Sequence, residues 1–172
     1  MLTTTLARHL RMTTTSALLL LTTMIWTQSA SGEDFYDGLT AMKASRFEEA
    51  RRIFLPLAQG GNADAEELIG VMYAMGLGVA RDDVRAFDWY LRASLKGHPG
   101  AQSGIGWYYE VGRGIPAPDL VRAYTWYVLS AIGGDPDAAI SMNEVVKKMT
   151  PEQIAKADIL ISDYKDHLYP ED

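Results

Sequence analysis

Apolar residues recur at spacings of three and four along most of the chain, and each such run marks one face of a helix. Phe47, Ala50, Ile53, Phe54, Leu57 and Ala58 put a single buried stripe on a helix from about Arg46 to Gln59. Pro56 removes one backbone donor there and should bend the last turn. Ile154, Ala157, Ile161, Tyr164 and Leu168 do the same near the carboxyl end, with Lys, Asp and His on the other face, as expected of a helix that caps a stack of helices. Between these lie predicted helices over about Ala63–Met75, Asp82–Lys96, Pro99–Val111, Asp119–Ile132 and, opened by Asp135-Pro136, on to about Lys148.

The punctuation supports these boundaries. Gly76 and Gly112 can adopt the left-handed conformation that ends a helix. Asp82 or Asp83, His98 and Asp119 stand where a side chain can accept from free amides at a helix start. Pro99 and Pro136 fit the first helical position, where no donor is lost. Thr150-Pro151-Glu152-Gln153 reads as a capping box. The chain is therefore read as all-α.

The pattern repeats. Gly70, Tyr73, Gly76, Gly78 and Asp83 recur 36 residues later as Gly106, Tyr109, Gly112, Gly114 and Asp119. Ala86, Trp89, Tyr90, Gly97 and Ala101 recur 37 residues later as Ala123, Trp126, Tyr127, Gly134 and Ala138, so one residue is inserted in the loop from Gly114 to Asp119. A weaker copy precedes them, with Ala50, Phe54 and Gly61 in register with Ala86, Tyr90 and Gly97. The chain divides into a leader (1–32), a degenerate tetratricopeptide-like helical hairpin (33–62), two full repeats (63–134) and carboxyl-terminal capping helices (135–172). Mid-helix Gly70 and Gly106 each cost about 1 kcal/mol against Ala, which implies close approach of a neighbouring helix. Trp89-Tyr90 and Trp126-Tyr127 are expected to fill the layers between helices.

The run from Ala63-Asp-Ala65 through Ile69-Gly70, Tyr73, Gly76-Leu-Gly78, Asp83, Ala86, Trp89-Tyr90, Gly97 and Ala101 resembles the Sel-1-like repeat, a relative of the tetratricopeptide repeat. The resemblance is strong over about 63–134 and looser on either side. It implies an α/α solenoid of helix-turn-helix repeats, with a concave groove lined mainly by the first helix of each unit. It also implies a scaffold or adaptor role, often in bacterial envelope or secreted proteins. Two departures stand out: Gly104 replaces the residue type of Leu68, and the loop before Asp119 carries two prolines. Some exported members are cysteine-bonded and linked to β-lactam binding; this chain has no cysteine, so that activity is not carried over.

Residues 1–32 have a composition of their own. Arg8, His9 and Arg11 precede an apolar run from Ser16 to Trp26, and the small residues Ser29-Ala30-Ser31-Gly32 follow, the order of a secretory signal peptide. A spanning helix needs roughly 20 apolar residues, so an uncleaved anchor is the weaker alternative. Cleavage fits after Gly32 or after Ala30. The expected location is periplasmic or secreted, with no membrane span after processing. The chain carries a formal charge of −6, and without Arg8 and Arg11 it approaches 14 − 22 = −8. That balance argues against nucleic acid as a partner. Hydrophobic residues make up 48%, enough to build a core.

The sequence offers little chemistry. Ser103 in Gly100-Ala-Gln-Ser-Gly104 has the wrong spacing for a nucleophile elbow, and Ser162-Asp-Tyr-Lys165 lacks the motifs that accompany a serine–lysine enzyme. His98 and His167 stand apart, and Asp135 and Asp137 lack the rest of a calcium loop. The Gly-x-Gly loops at 76–78 and 112–114 follow no strand and lack phosphate-loop spacing. No catalytic residue, metal or cofactor is expected. Repeated aromatics, Tyr73, Tyr90, Tyr109 and Tyr127 among them, are read as structural, so the residues that break the repeat carry the functional information. Trp107 replaces Val71, Tyr108 replaces Met72, and Glu110 replaces Ala74. Trp107 is the candidate anchor for a partner, with packing against the next unit as the alternative. Val71, Tyr108 and Glu110 join it as candidate partner-binding residues, and Glu66, Glu67 and Gln102, on the same helix faces, are the candidate polar rim. The expected function is binding of an envelope or secreted protein, or an extended peptide. A glycan or small-molecule module is the alternative, and a hydrolase is the least supported reading.

Overall fold

The structure, a computed structural model, describes residues 34–169. The signal peptide expected over residues 1–32 lies outside the described residues. Eight α-helices and no strand occur among the described residues. They are α1 (34–43), α2 (Phe47–Gln59), α3 (Ala63–Met75), α4 (Asp83–Ser94), α5 (Pro99–Val111), α6 (Leu120–Ile132), α7 (Ala138–Val146) and α8 (Pro151–Leu168). From α2 to α7 each helix packs on the next, so the stack is a succession of helical hairpins: an α/α solenoid.

Local chemistry sets the boundaries. Asn62 accepts from the Ala65 amide at 2.8 Å to open α3. Asp82 accepts from Val84 and Arg85 to open α4, and Asp119 from Arg122 to open α6. His98 opens α5 through Nδ1, which accepts from the Ala101 amide at 3.1 Å with Pro99 in the first turn. Gly76 and Gly112 close α3 and α5 at φ of 71° and 73°. Thr150 and Gln153 complete the capping box of α8. One expected start is wrong. Pro136 does not open α7, which begins at Ala138. The Asp135 carboxylate instead accepts from the Asp137 amide and the Ser130 hydroxyl, and this holds 135–137 as a turn.

The repeated glycines fit against rings. A Cβ on Gly70 would stand 3.3 Å from the Tyr90 ring, and one on Gly106 would stand 2.9 Å from Tyr127. The close approach implied by those mid-helix glycines is thus made by the tyrosine of the same unit. The second glycine of each Gly-x-Gly loop does more than turn the chain. Gly78 (φ 64°) lies on the backbone of Phe47, and Gly114 (φ 67°) lies on the carbonyl of Asp83. Each loop is therefore seated on the first turn of the preceding unit's second helix. The paired tryptophans differ. Trp126 is buried against Tyr164, with ring centroids 4.9 Å apart, whereas Trp89 is only half-buried beneath the Arg92 guanidinium.

The end of the chain departs from a simple stack. α8 packs on α6, and Tyr164 and Leu168 join the main core. Just beyond it, Tyr169 reaches the α4–α5 joint, where its hydroxyl donates to Gln102 Oε1 at 2.9 Å. The carbonyls of Gly97 and Leu129 stand 3.4 and 3.3 Å from the same oxygen.

Candidate functional site

The first helices of the two full units, α3 and α5, border a cleft of about 410 Å³. Its apolar part is made by Ala74 and Met75 from α3, Tyr90 from α4, and Gly104, Trp107 and Tyr108 from α5; Arg81, Asp83 and Arg113 line its loop end. Gly104 explains one departure from the repeat pattern. A Cβ there would stand 2.8 Å from Tyr90 Cε1, so the glycine leaves room for a ring already seated on Gly70.

Trp107 is 41% exposed on this cleft. Its ring stands edge-on to Tyr108 at 5.1 Å, with the Arg113 guanidinium 5.9 Å from its centre. Met75, one turn beyond Val71 and in register with Val111, is 69% exposed. The loop end is organised around one carboxylate. Asp83 accepts from Arg81 at 3.2 Å and from the Tyr108 hydroxyl at 3.3 Å, and its other oxygen lies 3.5 Å from Arg113 Nε. Burial, reinforced by Asp83, pushes the Tyr108 phenol up to about 12. That hydroxyl is therefore a fixed donor at ordinary pH.

Several residues expected at the binding face lie elsewhere. Tyr108 is buried, as is its counterpart Met72. The two follow Ile105 and Ile69 at a spacing of three, and so share the inward stripe. Glu66 and Gln102 do not form a rim: both are fully buried in the joints between helices. Glu66 accepts from Arg92 on α4 at 3.1 Å and from Lys96, in the turn just beyond α4, at 2.6 Å. Gln102 donates to the Ser94 carbonyl and accepts from Tyr169. Glu110 is committed too, accepting from Tyr127 at 3.0 Å and Lys148 at 2.8 Å. Val71 is half-buried against the core. Glu67 is half-buried near His98, and burial raises its pKa. Sequence reasoning missed Met75, Arg81, Asp83 and Arg113. The signal for Met75 and Val111 was present, since both stand four residues beyond the divergent pair Val71 and Trp107.

Among the described residues, no group of three or more His, Cys, Asp or Glu side chains could hold a metal ion. No described helix is long and apolar enough to cross a membrane.

Comparison with known proteins agrees with this architecture. A family profile described as the Sel1 repeat matches residues 63–98 and 99–135. A solved Sel1 repeat protein from Oxalobacter formigenes is 32% identical, with a TM-score of 0.60; the match covers 70% of this chain and 97% of that one. A protective antigen present in uropathogenic Escherichia coli strains, with an SLR fold, superposes with a TM-score of 0.78 at 24% identity, covering 84% of this chain and 32% of that one. The Arabidopsis thaliana ERAD-associated E3 ubiquitin-protein ligase component HRD3A is 40% identical over 77 residues, 43% of this chain and 11% of that protein. Its relative HRD3B is 34% identical over 71 residues, 41% of this chain and 12% of that protein. The chain thus spans about a tenth of the length of these curated relatives. Sel1 repeats generally mediate protein–protein interaction, typically as non-catalytic scaffolds. With both full units matched and nearly all of the Oxalobacter protein covered, the chain belongs to the Sel1 repeat family.

Proposed function

We propose that the chain is a non-catalytic scaffold that holds a protein partner on the α3–α5 face, and that it works in the periplasm or outside the cell after removal of residues 1–32. The observation that carries this reading is Trp107. Where the other full unit has half-buried Val71, α5 presents an indole 41% exposed beside the exposed Met75. A rigid aromatic next to a cleft is the kind of anchor on which protein interfaces concentrate their energy. The cleft floor favours a protein over a sugar. It offers mainly apolar atoms, and the Tyr108 hydroxyl is already given to Asp83.

The test is a photo-crosslinking residue in place of Trp107, and another in place of exposed Glu152 on α8, each expressed with the leader in the native cell. The expected result is a discrete protein adduct from position 107 and none from position 152. Equal labelling from both positions, or none from 107, overturns the reading. Amino-terminal sequencing of the same product tests export: an intact Met1 refutes cleavage.

A further inference from the structure

The cleft joins two chemistries that a single ligand must match. Met75, Tyr90 and Trp107 offer an apolar surface. Beside it, Arg81 and Arg113 share the one carboxylate of Asp83. Tyr108 already donates to that carboxylate, so Asp83 is engaged from three directions. Two guanidiniums set against one carboxylate leave a local positive excess on a chain whose formal charge is −6. Both arginines keep nearly half of their side-chain surface exposed. Their remaining N–H donors can be turned toward the cleft, where a carboxylate would meet a planar fork.

We infer that the partner engages this cleft through an acidic segment, in which an Asp or Glu meets Arg81 and Arg113 while an adjacent apolar or aromatic side chain lies on Trp107 and Met75. This deepens the docking assignment above and rests on it. The charge pattern selects among partners, because a basic segment would face two guanidiniums. The apolar floor supplies contact area but little discrimination. The lone carboxylate of Asp83 does not recruit a basic residue, since its oxygens are occupied by Arg81, Arg113 and Tyr108.

The experiment uses the purified exported chain to select from a phage-displayed library of random short peptides, in parallel with Arg113→Glu and Trp107→Ala copies of unchanged helicity. Wild type is expected to enrich peptides carrying Asp or Glu beside an apolar residue. Arg113→Glu should shift the enriched charge toward Lys and Arg. Trp107→Ala should lose the apolar preference. For a selected peptide, exchanging its acid for the amide should weaken binding about tenfold in fluorescence anisotropy, the effect of one charge-assisted contact. Enrichment without an acidic bias overturns the inference, as does a bias unchanged by Arg113→Glu. Failure to enrich any peptide also overturns it, and so does saturable binding of polygalacturonate alone, which would assign the cleft to acidic sugar. If the position-107 crosslink still yields a protein adduct, the docking reading survives and only the acidic specificity falls.

Discussion

Tyr90 is pinched between two glycines of successive units, with hypothetical Cβ atoms 3.3 Å away at Gly70 and 2.8 Å away at Gly104. The ring thus belongs to both units, and Gly104 sets how closely α5 approaches α4. Gly104→Ala gains about 1 kcal/mol of helix propensity but forces the ring to move at a cost of about 1–3 kcal/mol. The expected outcome is a small net loss in thermal stability, read by circular dichroism, and weaker binding in the cleft that this ring floors. An unchanged melting temperature and unchanged binding would refute the argument.

Gly114 and Gly134 separate two costs. Both have positive φ, 67° and 97°, but a Cβ on Gly114 would collide with the Asp83 carbonyl, while one on Gly134 meets nothing within 4 Å. Gly134→Ala should cost only the left-handed conformation, about 1–2 kcal/mol. Gly114→Ala adds a backbone collision that no side-chain rotation relieves, for roughly 2–4 kcal/mol in all. Urea denaturation of both variants checks the ranking.

Much of this architecture was legible because it is written twice. The bounds of α3 and α5 follow from the repeated Gly76 and Gly112, and the role of Gly70 and Gly106 from their place in mid-helix. What was not legible depends on partners far along the chain. Glu66 and Gln102 occupy one repeat register, where a polar residue suggests a rim. Each is buried because its partners come from a distant stretch of chain: Arg92 and Lys96 for Glu66, Tyr169 for Gln102. The start of α7 failed for a local reason instead, since Asp135 is held by Ser130 as well as by its own turn. On the cleft, the exposed position of Trp107 could be picked out because it breaks the repeat. Arg81 and Arg113 were missed because loop residues carry no periodicity.

Glu67 gives the fold a pH signature. Burial raises its folded pKa, opposed by His98. A raised carboxyl pKa favours the folded state only while the group is protonated. That contribution is complete below the unfolded value and is lost as pH rises through the folded one. At neutral pH the charged carboxylate is therefore a net burden. Glu67→Gln is expected to raise the melting temperature at neutral pH and to lose that advantage in acid. A gain that is the same at both pH values would refute the sign.

Tyr169→Phe removes the phenolic hydroxyl and leaves the buried Gln102 carbonyl oxygen without its donor at 2.9 Å. An unsatisfied buried acceptor costs about 1–3 kcal/mol. The loss should localise, with amide exchange accelerating in α8 before α3 or α4. Uniform acceleration across all helices would show that Tyr169 is not a local tie.

That tie changes the mechanics of the stack. A solenoid whose units touch only their neighbours behaves as a row of hinges, able to splay and to fray from its end. Here α8 runs back along α6, and Tyr169 meets the Gly97 carbonyl at the joint between the two full units. The joint that sets the gap between α3 and α5 is thereby braced by the chain's own tail, like a strut across a hinge. On the docking proposed for this cleft, such a brace would hold its width before a partner arrives, so that part of the ordering entropy of binding would be spent during folding.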